Sequence, residues 1–347
     1  MPEIIDVLTD PKWDDAVAGC DGELFQSRPW MKSLSDAFGF SFQASVERDG
    51  SGAIIAGIPF VQIDDLRGRR TVVLPFSDFT LPVVTEVAPW EKLSEPLVAF
   101  GDPVIVQTAA DGVVADDPRF VPDLRTVRHT VPLDAPIEEL MARYGQQPRR
   151  HIRKAEKAGL VFRMAASLEE VRAFYDLHFL VRKYKHQLLC QPFTLFEALW
   201  RNFMVDGNGG IMLGFDGDTV AGGCLLLDAG DTLYYKYSAS HPDYRSAGVS
   251  HAAVRFAMEH GLTRGLSTLD LGRSDLDQPG LIDFKRRFGA KESQLARFCH
   301  QPPESDVTCN PGSALEVLSD VSKLFCDEGV EDALTERAGN LVYRYFA

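Results

Sequence analysis

The sequence predicts a mixed α/β (α+β) fold in which one unit occurs twice and a helical tail follows. Strand-like and helix-like segments alternate along the 347 residues, a pattern typical of α/β and α+β proteins. A hairpin signal of the same form occurs in each half of the chain. The length is also about twice that of an average domain of roughly 150 residues. We therefore expect two domains, over residues 1–132 and 133–302, and a tail over residues 303–347.

The first half of the chain shows the pattern of a strand, two helices and three strands. A strand is expected over residues 3–8, with helices from Pro11 and over residues 28–37. Three further strands are expected over residues 41–48, 53–63 and 70–74. Asp49-Gly50 separates the first two of these, and Asp-Gly between apolar runs is a strong hairpin signal.

The second half repeats this pattern. Helices are expected over residues 167–183 and 194–204, followed by strands over residues 210–215, 220–227 and 232–238. Asp216-Gly217 occupies the first gap, and Ala56-Gly57 and Ala221-Gly222 align the two hairpins at a separation of 165 residues (221 − 56). The repetition indicates a tandem duplication; chance is the alternative, because both dipeptides are common.

The rest of the second half completes the predicted unit. A helix is expected over residues 246–262, because its apolar residues fall on one face, and a short strand over residues 268–271. A loop over residues 272–279 and a helix over residues 281–287 follow. A linker over residues 301–311 then leads to two helices in the tail.

Composition and charge exclude several classes of protein. Apolar residues make up 45% and charged residues 25% of the chain, which excludes collagen-like, coiled-coil and largely disordered proteins. The 36 Lys and Arg residues against 50 Asp and Glu residues give a net charge of −14. A negative field of this kind repels phosphate and argues against a general nucleic-acid coat. The six cysteines show no C-x-x-C spacing, and we expect them to be reduced.

The chain also lacks the signals of secretion, membrane insertion and metal binding. The first residues are acidic where a signal peptide is basic, and no apolar run approaches the ~20 residues of a membrane span. We therefore expect a cytoplasmic protein with no stable membrane insertion. P-loop, G-x-G-x-x-G, G-x-S-x-G and metal-ligand patterns are missing, so neither a metal nor a bound cofactor is expected.

A concentrated basic segment interrupts this acidic chain. Residues 143–157 hold six Lys or Arg residues and one acid. On a helix, five of these cations share one side, and we call them the basic stripe: Arg149, Arg150, Arg153, Lys154 and Lys157. Such a stripe attracts polyphosphate or a nucleic-acid backbone. A solvated helix face between two domains is the alternative.

A second candidate site follows the strand at residues 268–271. Polar residues cluster beyond the strand end, among them Arg273 and Asp275, and such strand ends bind ligands in open α/β sheets. Lys285 then follows Phe284, and Phe288 completes its apolar flanks. A partly desolvated ammonium there stabilises an anion or an oxyanion. An exposed Lys-Arg-Arg patch is the alternative.

Two weaker signals lie between these candidates. Strand alternation places Tyr235 and Tyr237 on one face of their strand, where they either line a site or belong to the core. Residues 245–250, Arg-Ser-Ala-Gly-Val-Ser, form a degenerate version of the loop with which acetyltransferases bind a pyrophosphate.

Taken together, these segments resemble the FemAB-like (FemABX) aminoacyltransferases, and equally their relatives, the BioF2-like acetyltransferases. The resemblance covers about residues 20–300 and the ending over residues 339–344. It is carried by residues 25–32, 74–78 and 149–159, and most specifically by residues 235–240 and 272–290. It implies two tandem acetyltransferase-type (GNAT) domains with mixed sheets flanked by helices.

The resemblance also implies roles for particular residues. Phe284 and Lys285 are the pair expected to stabilise the tetrahedral transition state, and Asp78 and Tyr237 are expected to line the acceptor cleft. Lys32 and Arg182 would hold acceptor phosphates, although the spacing around Arg182 departs from the family pattern, and Trp30 is expected to bind substrate. The further residues expected at the substrate are Tyr235, Arg273 and Asp275. The basic stripe is the expected contact for tRNA or phosphate.

The leading functional hypothesis is therefore transfer of an aminoacyl group from aminoacyl-tRNA to an amine. The acceptor is either a peptidoglycan precursor stem peptide, nucleotide- or lipid-linked, or a small amine of secondary metabolism. The ester is already activated, so direct attack by the amine needs no nucleophilic side chain, and Asp78, water and the tRNA 2′-hydroxyl all stay open as the base. The alternatives are an acyltransferase that uses a CoA thioester and acts on an amino sugar or polysaccharide precursor, and a GNAT pair that only binds.

Overall fold

The computed structural model describes residues 2–18, 24–81, 83–84, 90–303, 305 and 312–347. The predicted linker over residues 301–311 therefore lies mostly outside the described residues. The α-helices are α1 (Lys12–Ala18), α2 (Arg28–Phe38), α3 (Trp90–Ala99), α4 (Ile137–Arg143), α5 (Gln146–Lys157), α6 (Leu168–Leu180), α7 (Phe193–Leu199), α8 (Val249–Thr263), α9 (Pro279–Arg286), α10 (Gly312–Phe325) and α11 (Asp332–Val342). Short 3₁₀ helices occupy Leu24–Gln26, Pro242–Ala247 and Tyr343–Phe346.

The strands alternate with these helices. They are β1 (Glu3–Asp6), β2 (Gln43–Arg48), β3 (Ile54–Asp65), β4 (Gly68–Val73), β5 (Val83–Val84), β6 (Val104–Ala109), β7 (Val121–Pro132), β8 (Val161–Met164), β9 (Gly209–Asp216), β10 (Thr219–Ala229), β11 (Thr232–Ser240), β12 (Thr268–Asp275) and β13 (Lys291–His300). The chain divides into two compact units. One comprises residues 1–126, 293–321 and 342–347, and the other residues 127–292 and 322–341.

The first unit is built on a mixed sheet. Its strands follow the order β1-β2-β3-β4-β6-β13, with β5 beside β3. β1 to β4 are antiparallel neighbours, whereas β4 and β6 run parallel. The parallel pair needs a crossover connection, and α3 lies within it. Buried residues of α3, β3 and β6, such as Leu93, Phe60 and Val106, form one apolar core.

The second unit repeats this arrangement strand by strand. Its sheet follows the order β8-β9-β10-β11-β12, with β7 beside β12. β8 to β11 are antiparallel neighbours, β11 and β12 run parallel, and α8 lies in the crossover. Buried residues of α5, α8 and the sheet, among them Ile152, Ala257 and Leu233, form its core. The shared strand order confirms the duplication that the two hairpins predicted.

Several predicted elements differ from the structure. The predicted loop over residues 272–279 is wrong in its first part, because β12 continues to Asp275 before α9 begins. The helices predicted to end near residues 183 and 204 instead end in π-helical turns, Val181–Lys185 and Trp200–Met204. A π turn adds a residue to the helical repeat, and Arg182 lies within the first of these turns.

The predicted domain boundaries and the compact units do not coincide. The first unit ends at Thr126, six residues before the predicted end at 132, and it takes in residues 293–302 as well. The predicted tail is divided between the two units. The division of the chain into domains at residues 132 and 302 stays a prediction.

Cys299 is disulfide-bonded, so the expectation that all six cysteines are reduced is wrong for this residue. Cys190, Cys224 and Cys326 are free and buried.

Candidate functional site

The second unit contains an opening between two parallel strands. β11 and β12 pair over Thr232–Tyr234 and Thr268–Asp270, yet β11 continues to Ser240 and β12 to Asp275. The two strands therefore separate beyond their third paired residue, and we call this opening the strand gap. Ligands of open α/β sheets bind beyond the carboxyl ends of strands, so the strand gap is a candidate substrate site.

A β-bulge lies on β11 at the start of the strand gap. Leu226 pairs with Tyr235 and Cys224 with Ser238. Between these two pairs, β11 therefore contains one residue more than β10. The extra residue reverses the alternation of side chains. Tyr235 packs on the core under α8, whereas the Tyr237 ring faces His178, with ring centroids 5.6 Å apart.

The prediction that the two tyrosines share a face is therefore wrong. Burial raises the pKa of the Tyr235 phenol well above its ordinary value of 10, so this side chain is neutral. The Tyr237 ring also lies 5.8 Å from the Phe196 ring. The two tyrosines thus serve different faces of the sheet at the strand gap.

Lys285 lies on α9 with its side chain directed to β12. It is only 6% exposed, and its Nζ donates to the carbonyl oxygens of Gly272 at 3.0 Å and Arg273 at 2.9 Å. Gly272 has φ +71°, a left-handed conformation that favours glycine and turns these neighbouring carbonyls to the ammonium. The exposed-patch alternative for Lys285 is therefore wrong: the side chain is a buried cation beside the strand gap.

The backbone at Gly272 is held by a second charged pair. The Asp270 carboxylate is 2% exposed and accepts the Gly272 N–H at 2.6 Å and the Arg128 Nε–H at 2.8 Å. Arg273 and Asp275 are exposed on the same strand, where a substrate in the strand gap can reach them. Phe284 packs at the edge of the core.

The basic stripe lies on α5 as predicted by the helical spacing. Pro148, Ile152 and Ala155 are buried on the opposite face of the helix. The stripe residues line an open surface pocket of about 780 Å³. Across the described ranges, from residue 2 to 303 with their gaps, 305 and 312–347, no ion pair engages any of the five cations. The one acid of the segment, Glu156, pairs with Arg255.

The helix that carries the stripe contacts the loop that opens α8. An added Cβ at Gly248 (φ +86°) would lie 2.3 Å from the His151 carbonyl oxygen, so only glycine permits this close approach. The His151 ring stacks on the His251 ring, with centroids 4.5 Å apart, and His251 meets Phe284 edge to face at 5.0 Å. Burial lowers the pKa of His251 to about 4. An unbroken chain of rings thus joins the basic stripe to the residue before Lys285.

The candidate residues of the first unit are described within that unit. Trp30 is completely buried, and its indole N–H donates to Ser77 Oγ at 3.0 Å. Lys32 is half-exposed and paired with Asp36 on the next turn of α2. Asp78 is partly buried and lies two residues after Phe76, whose backbone has φ +58°. A non-glycine residue in this region is strained, and such strain is frequent at functional sites.

Arg182 lies in the first π turn and supports a neighbouring loop. Its Nε and Nη2 both donate to the Leu189 carbonyl oxygen, at 3.1 and 2.8 Å. The next residue, Lys183, is fully buried and donates to Asp332 Oδ1 at 2.7 Å. Of the two adjacent cations, Arg182 is the one that stays partly exposed.

Sequence reasoning missed one pair of residues beside Lys285. His129 on β7 is buried, and its Nε2 lies 3.2 Å from Glu292 Oε1 on β13. The two residues are 163 positions apart, and neither belongs to a motif. Only the pairing of distant strands could have shown that they meet.

Within the part of the chain that the structure describes, no three His, Cys, Asp or Glu side chains come together as metal ligands. None of the described helices combines the length and apolarity that a membrane crossing requires.

Comparisons with known proteins agree with this geometry. Residues 142–286 match the family model for the acetyltransferase (GNAT) domain, and these residues contain the basic stripe, the strand gap and Lys285. No curated protein matches the chain in sequence.

Solved structures share the fold of nearly the whole chain. The crystal structure of FemX has a TM-score of 0.65 at 16% identity, over 85% of this chain and 96% of FemX. The C-terminal domain of a putative lysylphosphatidylglycerol synthetase from Agrobacterium fabrum has a TM-score of 0.56 at 13% identity, over 92% and 99%. A tandem GNAT protein from the clavulanic acid biosynthesis pathway has a TM-score of 0.56 at 11% identity, over 88% and 100%. These structures confirm the tandem GNAT fold predicted from the sequence, and they confirm the FemAB-like resemblance at the level of the fold.

Proposed function

We propose that this protein is a GNAT-fold acyltransferase that moves an aminoacyl group from aminoacyl-tRNA to an amine acceptor. The observation that carries the proposal is the basic stripe, whose five cations have no ion-pair partner in the described chain. Two successive ring contacts, His151 with His251 and His251 with Phe284, join its helix to the Lys285 segment. Such a stripe binds a phosphate backbone, and a donor tRNA brings both the phosphates and an activated ester. Because charged tRNA is a cytoplasmic substrate, we expect the protein to act there.

The chemistry needs few side chains. The neutral acceptor amine attacks the ester carbonyl carbon, and a C–N bond forms as the C–O bond to the tRNA ribose breaks. The proton lost by the amine is delivered to the departing ribose oxygen. Negative charge develops on the carbonyl oxygen, and the buried Lys285 ammonium stabilises it. A preorganised group of this kind contributes about 3 kcal/mol, and holding both substrates together supplies much of the remainder.

The acceptor must supply a nucleophilic amine. A peptidoglycan precursor stem peptide and a small amine of secondary metabolism both present the required nucleophile. Tyr237, Arg273 and Asp275 belong to the strand gap, and we propose that they contact the acceptor or the aminoacyl group. Lys32, Trp30, Asp78 and Arg182 keep their proposed roles in acceptor binding, with Trp30 acting through Ser77 because it is buried.

A CoA thioester is the second candidate donor. The 3₁₀ helix Pro242–Ala247 and the left-handed Gly248 open α8, which is the position of a pyrophosphate-binding loop. Against this donor, the His151 carbonyl already occupies the space next to Gly248. This packing makes Gly248 a docking point for α5, which favours tRNA as the donor.

The test is transfer of a radiolabelled amino acid from charged tRNA to a panel of amines, with and without RNase. We expect transfer that RNase abolishes; transfer that survives RNase would rule out the tRNA donor. Lys285→Met is expected to lower kcat at least about 100-fold, as loss of an oxyanion-stabilising group does. Lys291→Met, which alters an exposed lysine six residues away, is the matched control. Thermal stabilisation by CoA but not by charged tRNA would favour the second donor.

A further inference from the structure

The buried ammonium of Lys285 lies in a frame made by two consecutive residues of β7. Arg128 reaches Asp270, whose carboxylate holds the Gly272 N–H. His129 reaches Glu292. The contact of Arg128 with Asp270 holds β12, whose Gly272 and Arg273 carbonyl oxygens accept hydrogen bonds from Lys285. It therefore fixes the position of these two carbonyl oxygens.

The second connection reaches the helix that carries Lys285. Glu292 accepts from Arg286 Nε at 2.7 Å and Nη2 at 2.9 Å, and Arg286 follows Lys285 on α9. Glu292 thus contacts both Arg286 at the end of α9 and the completely buried His129 on β7. Through these two contacts it links the end of α9 to β7.

We propose that His129 and Glu292 form a positioning pair that sets the place of the Lys285 ammonium at the strand gap. This inference rests on the proposed function, because that function gives Lys285 its role in catalysis. The coupling between the His129–Glu292 pair and Lys285, in contrast, is a property of the folded chain and can be measured without activity. His129 is a positioning residue, because it acts on Lys285 through Glu292 and α9 and touches no reacting atom.

The charges around His129 define how the coupling can be measured. Burial lowers the pKa of His129, and the positive charge of Lys285 lowers it further, while the Glu292 carboxylate acts in the opposite direction. The Arg286 hydrogen bonds lower the pKa of Glu292, so this group is ionised. At neutral pH the imidazole is thus neutral, and its Nε2 carries the proton that faces the carboxylate. A hydrogen bond with the Gly272 backbone also raises the pKa of His129.

The first experiment measures the pKa of the His129 imidazole by NMR in ¹³C-histidine-labelled protein, with His129→Gln to assign the signal. Lys285→Met removes the neighbouring positive charge and is expected to raise this pKa. Glu292→Gln removes the carboxylate and is expected to lower it. If neither substitution moves the titration, the coupling is absent and the inference is overturned.

The second experiment compares kcat and KM for aminoacyl transfer. His129→Ala is expected to lower kcat about tenfold, the effect of losing one hydrogen bond to a charged group, with KM changed less than twofold. His129→Gln keeps a donor for Glu292 and is expected to recover most of the loss. In Glu292→Gln the acid limb of the kcat profile is expected to move to lower pH, following the imidazole.

His260→Gln is the matched control, since His260 on α8 is also a histidine whose pKa is lowered by burial, and it lies outside this frame. It should leave kcat and the acid limb unchanged. Equal losses in His129→Gln and His129→Ala, with an unmoved acid limb, would overturn the positioning role. If the NMR shifts occur but the native protein transfers nothing from charged tRNA, the proposed function fails while the coupling stands.

Discussion

Neutralising one row of the basic stripe gives a quantitative test of RNA docking. The triple variant Arg149→Gln, Arg153→Gln and Lys157→Gln removes three of the five cations. Glutamine is a good helix former, and the buried face of α5 (Pro148, Ile152 and Ala155) is untouched. The variant should therefore fold normally and lose only charge.

The expected size of the effect follows from counterion release. Each phosphate contact contributes a slope of about −0.7 for single-stranded and −0.9 for double-stranded nucleic acid to the dependence of log K on log salt. Five contacts predict a slope of about −3.5 to −4.5, so affinity falls about 130- to 500-fold between 50 and 200 mM salt. Two remaining contacts predict a slope of about −1.4 to −1.8 and a fall of only about 7- to 12-fold.

Fluorescence anisotropy with labelled tRNA over a salt series measures these slopes. A control triple variant, Lys12→Gln, Arg69→Gln and Arg125→Gln, removes three cations that pair with acids elsewhere. Both variants have a net charge of −17, from −14 less three, so only the location of the lost charge differs. Equal slopes for the two variants would refute docking on α5, because the effect would then follow net charge alone.

Further predictions concern single residues. Gly248→Ala should lower the melting temperature more than Gly265→Ala: both residues have left-handed backbones, which cost about 1–2 kcal/mol for alanine, but only at Gly248 does the new Cβ meet an atom within 4 Å. Asp270→Asn should lower kcat about tenfold in the radiolabel assay with little change in KM, because it weakens two charge-assisted hydrogen bonds. Glu170→Gln should lower the melting temperature at pH 7. The hydrogen bonds from Arg163 lower the pKa of Glu170 from 4.5 to about 2. The difference in melting temperature between the native protein and the variant should therefore be largest above pH 4.5 and should disappear as the pH falls through about 2.

The repeated architecture could be predicted because local signals determine it. The Asp-Gly turns fix where each hairpin reverses, and the registers of β2 with β3 and of β9 with β10 confirm both hairpins. The helical spacing of the basic stripe likewise depends on one segment alone. In each case the information lies within about ten residues of sequence.

Departures from regular periodicity could not be predicted. One extra residue on β11 sends Tyr235 and Tyr237 to opposite faces, and the helix that carries Arg182 ends in the π turn Val181–Lys185 instead of a regular α-helical turn. Neither irregularity has a composition signal, because tertiary packing selects it. The position of Lys285 was predicted, but its burial against two backbone carbonyls depends on the contact of α9 with β12.

The polarity of the site also resolves an apparent conflict between an acidic chain and an anionic substrate. Elsewhere in the described chain many cations are engaged by acids, as in the pairs Arg70–Asp65 and Arg28–Asp14, so they add little to the external field. The five cations on α5 have no ion-pair partner in the described chain, so their positive potential is not cancelled locally. At physiological salt the Debye length is about 8 Å, and acids farther away than this have little effect on that potential. Under the proposed function, a phosphate backbone is attracted to α5, while the net negative charge of the chain opposes its binding elsewhere. The net charge of −14 therefore disfavours non-specific RNA binding and makes docking at α5 more selective.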